Sequence, residues 1–193
     1  MILLINACVR AGSRTKRLAD YLLSQLNDTV AERRLSEITF PAVNEDFLRR
    51  RDSLIAKGAS DDPLFQYARE FAGADTIVIA APYWDLSFPA DLKRYLEQIN
   101  VVGITFRYSS DGIPVGLCRA KKLFYVTTAG GEYAPTDYGF GYVKELAKSF
   151  YGIPDVRLIQ ATGLDMIGAD ESAILQDCRK RIDETVSLSD TSD

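Results

Sequence analysis

A chain of 193 residues, 47% hydrophobic and 26% charged, has the make-up of a soluble globular protein with a sizeable core. Its net charge of -4 argues against binding nucleic acid or an anionic membrane, both of which require a basic surface. The absence of histidine excludes Ser-His-Asp and Cys-His catalysis, a histidine general base and histidine-ligated zinc.

Residues 2–6, "ILLIN", form a short continuous apolar run and read as a strand buried on both faces. "MILLINAC" lacks the basic flank and the length of a signal peptide, and no run approaches the roughly 20 apolar residues that span a bilayer. The cytoplasm is therefore the expected compartment, without membrane insertion. After a loop, "KRLADYLLSQL" sets Leu18, Tyr21, Leu22 and Leu26 at helical spacing. "VAERRLSEI" reads as a second strand of ambiguous pattern, followed by helical pieces over 44–58 and 63–73, the latter opening after Asp61, Asp62 and Pro63.

Residues 75–82, "DTIVIAAP", are the clearest buried strand; the helix expected over 88–99 carries Pro89 near its first turn, where a missing N–H costs nothing. A long connection, 101–118, precedes a strand over 121–131 that ends in small residues. A mostly helical stretch over 136–152 is stopped by Gly152 and Pro154. "DVRLIQATGL" is the last strand and "DESAILQDCRKRIDETV" the last helix, with Ile174, Leu175, Cys178 and Ile182 at its apolar positions. Cys8, Cys118 and Cys178 are widely spaced with no CxxC, so neither a disulfide framework nor a metal site is expected. Alternating buried strands and amphipathic helices imply an α/β fold, a parallel sheet with helices on both faces. One domain is expected over 1–188, with a polar, frayed tail at 189–193.

In such a sheet a ligand sits beyond the carboxyl ends of the strands, where strand order reverses. Three loops leave strands there: 7–15, 82–88 and 127–135. The first carries Arg10, Gly12, Ser13, Arg14 and Thr15 at a helix start, where free N–H groups and the helix dipole suit phosphate; the alternative is that Ser13 is a plain helix cap beside solvated arginines. It is neither a Walker A loop nor a GxGxxG fingerprint. The second, "PYWDLSF", offers either an aromatic wall or core packing. The third, "TTAGGEY", offers either a backbone that a flat ligand can approach at Gly130 and Gly131 or a flexible turn. Together they match a planar ligand with a phosphate on a short tail, which is FMN.

The segments "IVIAAPYWDLSFPADLKRYLEQI", "GITFRYSSDGIPVGLCRAKKLFYVTTAGGEY" and "PTDYGFGYVKELAKSFYGI" resemble the FMN-dependent NAD(P)H:quinone oxidoreductases and azoreductases. The resemblance implies a three-layer flavodoxin-like fold with five parallel strands in the order 2-1-3-4-5. It implies that Ser13 and Thr15 bind the FMN phosphate, with Arg10 as an added cation. Pro82, Tyr83, Trp84, Asp85 and Leu86 would line the ring edge and ribityl chain, and Thr128, Ala129, Gly130 and Gly131 the pyrimidine side. Phe106 and Tyr108 would lie near the substrate face, with Tyr133 at the rim; Tyr108 and Tyr133 are also candidate proton donors.

The same resemblance implies a homodimer, for which the 101–118 connection and Tyr138, Phe140, Tyr142, Phe150 and Tyr151 are the candidate partner surface, the alternative for about half of these aromatics being core packing. Two features depart from azoreductases: Tyr-Trp-Asp-Leu stands where Met-Tyr-Asn-Phe is usual, and Thr-Ala precedes the Gly-Gly where Ser-Arg is common, with no histidine after it. The expected reaction is ping-pong hydride transfer from NAD(P)H through flavin N5 to a quinone-like or azo acceptor. The alternatives are a flavodoxin-type electron carrier, and an interaction module of the same fold without catalysis.

Overall fold

The computed structural model describes residues 1–190, with side chains through 187. Its frame is a parallel sheet made of β1 (Ile2–Asn6), β2 (Val30–Arg34), β3 (Thr76–Ala80), β6 (Lys122–Thr128) and β7 (Asp155–Ala161), ordered β2-β1-β3-β6-β7. This is the expected 2-1-3-4-5 topology; the numbering differs because a short antiparallel hairpin, β4 (Phe106–Tyr108) and β5 (Pro114–Gly116), interrupts the 101–118 connection.

The unbroken apolar runs follow from burial on both faces. Leu3, Ile5, Ile77, Ile79, Leu123 and Tyr125 face one core, against α3 (Gln66–Gly73), α4 (Ala90–Ile99) and the helical segment from 137 to 151. Ile2, Leu4, Val78, Ala80, Phe124 and Val126 face the other, with Leu18, Ala19 and Leu22 of α1 (Arg14–Leu26) and Leu175, Cys178 and Ile182 of α6 (Glu171–Asp190). α2 (Glu45–Ala56) starts where Asn44 accepts the Phe47 N–H, and it buries no residue completely.

The second strand is shorter than the sequence suggests. It gives way to a single 3-10 turn, Leu35–Glu37, because Leu35 drops fully into the core. The helix expected over 136–152 is α5 (Tyr142–Leu146) with a π-helical turn at each end, Asp137–Gly141 and Ala147–Tyr151. Tyr151 is core, donating its hydroxyl to Asn100 Oδ1 at 2.8 Å, and Phe140, Tyr142 and Phe150 pack against that core. Tyr138 alone of the five aromatics considered for a partner surface stands mainly in solvent.

The hairpin is held from outside itself: a Cβ on Gly116 would lie 2.2 Å from Gly152 N and Tyr151 C, so the two backbones meet where only glycine fits. α6 continues through Asp190, past the residue where fraying was expected to begin; residues 191–193 of the expected tail lie outside the described residues. Among the described residues, no helix is long and apolar enough to cross a membrane.

Candidate functional site

Four loops leave the carboxyl ends of β1, β3, β6 and β7 and meet over one cavity of about 380 Å³. Of the residues expected at the site, it brings together Arg10, Ser13, Thr15, Pro82, Tyr83, Trp84, Thr128 and Gly130.

One end of the cavity is the start of α1. Ser13 caps it, its Oγ accepting the Lys16 N–H at 3.3 Å, and no acidic residue occupies the first turn. The Arg14 and Thr15 N–H groups find no acceptor among the described residues, as is usual at a helix start, and with the helix dipole they make an anion seat. Thr15 is fully buried, and its hydroxyl lies 2.7 Å from that of Thr128, tying α1 to β6. Ser13 thus caps the helix while facing the cavity, and Thr15 meets the cavity while serving the core.

The loop after β3 closes as a two-residue turn. Trp84 N–H donates to Ser87 O (3.1 Å) and Ser87 N–H to Trp84 O (2.7 Å), leaving Asp85 and Leu86 at φ 49° and 69°. Two successive left-handed residues make this a type I′ turn, a geometry that favours glycine and asparagine and costs leucine steric strain. The turn is braced by Ser87 Oγ, which donates to Tyr138 O at 2.9 Å. The N–H groups of Asp85 and Leu86 donate to nothing among the described residues. Both side chains are exposed at the turn tip and outside the cavity lining. Tyr83, beside them, has a buried hydroxyl with no partner, and burial pushes its phenol above the ordinary value.

The loop after β6 depends on the loop after β7. Gly163, Leu164 and Asp165 donate their N–H groups to the carbonyls of Gly131 (3.0 Å), Ala129 (3.3 Å) and Gly130 (2.9 Å). All three carbonyls are drawn to that loop, and the Gly130 and Gly131 N–H groups have no acceptor among the described residues. A Cβ on Gly130 would lie 2.2 Å from Asp165 Oδ2, whereas one on Gly131 would meet nothing. Gly130 thus lines the cavity with Asp165 packed close against it, and Gly131, next along the chain, borders open space outside the lining. Ala129 is buried behind this backbone.

Val9, Asp165 and Glu171 also line the cavity and escaped the sequence reading. Asp165 accepts from Arg14 Nη1 at 2.7 Å, and Glu171 pairs with Arg17 at 2.8 Å. The Arg14 guanidinium holds the Asp165 carboxyl below the usual carboxylate range. The signal that could have found them is topological: β7 lies beside β6, so its exit loop must reach the same rim. Phe106 and Tyr108 are not brought here within one chain. They line a separate cavity with Arg51, Asp52, Ile55 and Asn100, and Phe106 is buried edge-on against Tyr108 and Phe150. Tyr133 is 82% exposed and outside the cavity lining.

A doubly wound sheet in the order β2-β1-β3-β6-β7, with a cavity at the carboxyl ends of its strands against the start of its first helix, defines a flavodoxin-like protein. The sequence model of the family described as "Flavodoxin-like fold" matches residues 1–186. FMN-dependent NADH:quinone oxidoreductases of Clostridium beijerinckii and Lachnoclostridium phytofermentans are 35% and 36% identical, over 93% and 91% of this chain and the same shares of their own. This chain belongs to that family of flavodoxin-like fold, together with the FMN-dependent NADH:quinone oxidoreductases. An azoreductase of Bacillus anthracis superposes with a TM-score of 0.81 at 24% identity, covering 96% of this chain and 97% of its own. An FMN-dependent NADH-azoreductase of the same species, solved in complex with FMN, gives 0.79 at 22%, covering 97% and 98%.

Proposed function

We propose that this oxidoreductase holds FMN across the four strand-end loops and carries electrons from NAD(P)H to a quinone-like acceptor. The observation that carries the reading is one cavity in which a helix start without an acid in its first turn faces Trp84 and the Gly130 backbone, with the N–H groups of Asp85, Leu86 and Gly131 next to that lining along the chain and unpartnered among the described residues. Membership of a family of FMN-dependent quinone oxidoreductases supports it.

The residues fit that cofactor. The Arg14 and Thr15 N–H groups, with Ser13, would hold its phosphate, and Arg10 would add charge. Pro82, Tyr83 and Trp84 would line the ring edge, and the open space at Gly131 leaves room at the pyrimidine side. FMN held there would supply two-electron hydride chemistry. The Gly130 N–H, with those of Asp85, Leu86 and Gly131 beside the lining, would be fixed donors for negative charge on the ring, comparable in role to an oxyanion hole. No side chain needs to cycle as acid or base, which suits a chain without histidine. Nicotinamide and acceptor would use one open face in turn, the order of a ping-pong reaction. Tyr133, at the rim, would stack on either.

A second copy of the chain would complete the acceptor pocket by bringing Phe106 and Tyr108 to that face. In support, Val102, Tyr108, Ile113 and Leu117 around the hairpin leave large apolar surfaces exposed. Light scattering should give a dimer mass.

The function is tested by titration with FMN, expected to quench flavin fluorescence stoichiometrically, and then by adding NADH without oxygen. Bleaching by NADH and recovery of colour with a quinone are expected. Bleaching by dithionite alone would make the protein an electron carrier, and a chain that does not quench FMN would be an interaction module.

A further inference from the structure

Two helix starts flank the cavity, and they are not equivalent. α1 has no acidic residue in its first turn and offers Arg14 and Thr15 N–H groups to an anion. α6 is already satisfied: Asp170 Oδ1 accepts the Ala173 N–H at 3.0 Å, and Glu171 occupies the first turn. A carboxylate in that place neutralises the dipole that would draw a second phosphate. Glu171 also takes Arg17, while Arg14 is engaged by Asp165, the Leu164 carbonyl and, at 3.7 Å, Glu171. The Arg10 side chain lines the cavity without an ion pair or hydrogen bond among the described residues; its carbonyl accepts the Ser13 N–H, and its charge reaches Asp165.

The wall is also graded from inside to outside. Thr15 is buried at the base of the seat, and the Asp165 and Glu171 side chains are 64% and 43% exposed at its mouth. With two of three arginines claimed by carboxylates, the seat keeps one unpaired cation and a helix start worth about half a positive charge. That suits a terminal phosphate monoester of charge about -1.5 to -2. A phosphate esterified onward would carry less charge at the seat and would thread its second phosphate past two carboxylates at the mouth.

We infer that Asp165 and Glu171 make this end of the cavity selective for a terminal phosphate monoester over one that continues into a nucleotide, and so for FMN over FAD. The inference rests on the FMN reading above. The carboxylates act as specificity-determining residues by leaving no second phosphate site, with α6 closed to one and α1 open.

The test measures binding of FMN, FAD and riboflavin by ultrafiltration, for the wild type, Asp165→Asn, Glu171→Gln and the double variant, at low and high ionic strength. The double variant should narrow the FMN-over-FAD preference by about 5- to 20-fold at low salt, through tighter FAD binding. The change should shrink in high salt, and riboflavin should be unaffected. An unchanged preference, or one narrowed only by weaker FMN binding, would overturn the inference and leave the FMN reading standing. A wild type that binds none of the three flavins would sink both.

Discussion

The two ends of the cavity are built from different materials. At the α1 end, side chains do the work: Ser13 caps the helix, and Arg14 is joined by charge to Asp165 and Glu171. At the other end, the useful groups are backbone N–H donors, at Gly130 in the lining and at 85, 86 and 131 beside it, exposed because the chain is bent there or because neighbours have taken its carbonyls. The contrast shows how each end fails. The side-chain end is sensitive to charge, salt and pH. The backbone end is sensitive to steric change and indifferent to the medium.

The largest effect should come where the ends are joined, at the buried Thr15–Thr128 hydroxyl pair. Either Thr→Val substitution alone strands the other hydroxyl in the core, at about 1–3 kcal/mol by urea unfolding without flavin. The double Thr→Val variant should lose clearly less than the sum. Additive losses would mean that the hydroxyls act separately, with Thr15 free to serve phosphate alone.

Next is Gly130→Ala. Its new Cβ would lie 2.2 Å from Asp165 Oδ2, so the carboxylate must swing away and the Arg14 pair must open. A loss of about 1–2 kcal/mol is expected, typical of overpacking. Gly131→Ala, with open space at the same point, should leave the fold's stability nearly unchanged and weaken flavin binding. If the two substitutions behave alike, the division of labour between these glycines is wrong. Smaller still is Leu86→Gly. It removes the strain of a left-handed leucine and restores chain entropy to the unfolded state, for a net gain of up to about 1 kcal/mol in thermal unfolding.

The same contrast explains what the sequence made legible. β1 and β3 are written as continuous apolar runs, and α1 as a helical apolar stripe, because burial on both faces of a sheet leaves that trace. That Arg10, Ser13 and Thr15 line a cavity was legible through residue type and the helix start. The 84–87 turn was not, since Asp-Leu is a poor sequence for two left-handed residues and the conformation is imposed by Ser87 and Tyr138 from outside. The β4–β5 hairpin left no alternating pattern, because its anchor is the close approach of Gly116 to Gly152. Asp165 and Glu171 looked like ordinary solvated acids until the position of β7 beside β6 brought them to the rim. The aromatics of 136–151 carried a partner reading that core packing mostly claims.

The smallest effect separates the two ends most cleanly. Arg14 lowers the Asp165 carboxyl below its unfolded value of about 3.9, so the pair's contribution to stability is complete above that value and is lost as pH falls through the lower folded one. Asp165→Asn should therefore lower the melting temperature at neutral pH, and the difference from wild type should fade below about pH 4. With the Asp165 side chain 64% exposed, the shift should be about 1 °C and should also fade in high salt. The Leu86→Gly gain, being steric, should persist across the same pH and salt range. A penalty for Asp165→Asn that survives both acid and salt would show that the residue acts by packing against Gly130, and the α1 end would then be built on shape as much as the other.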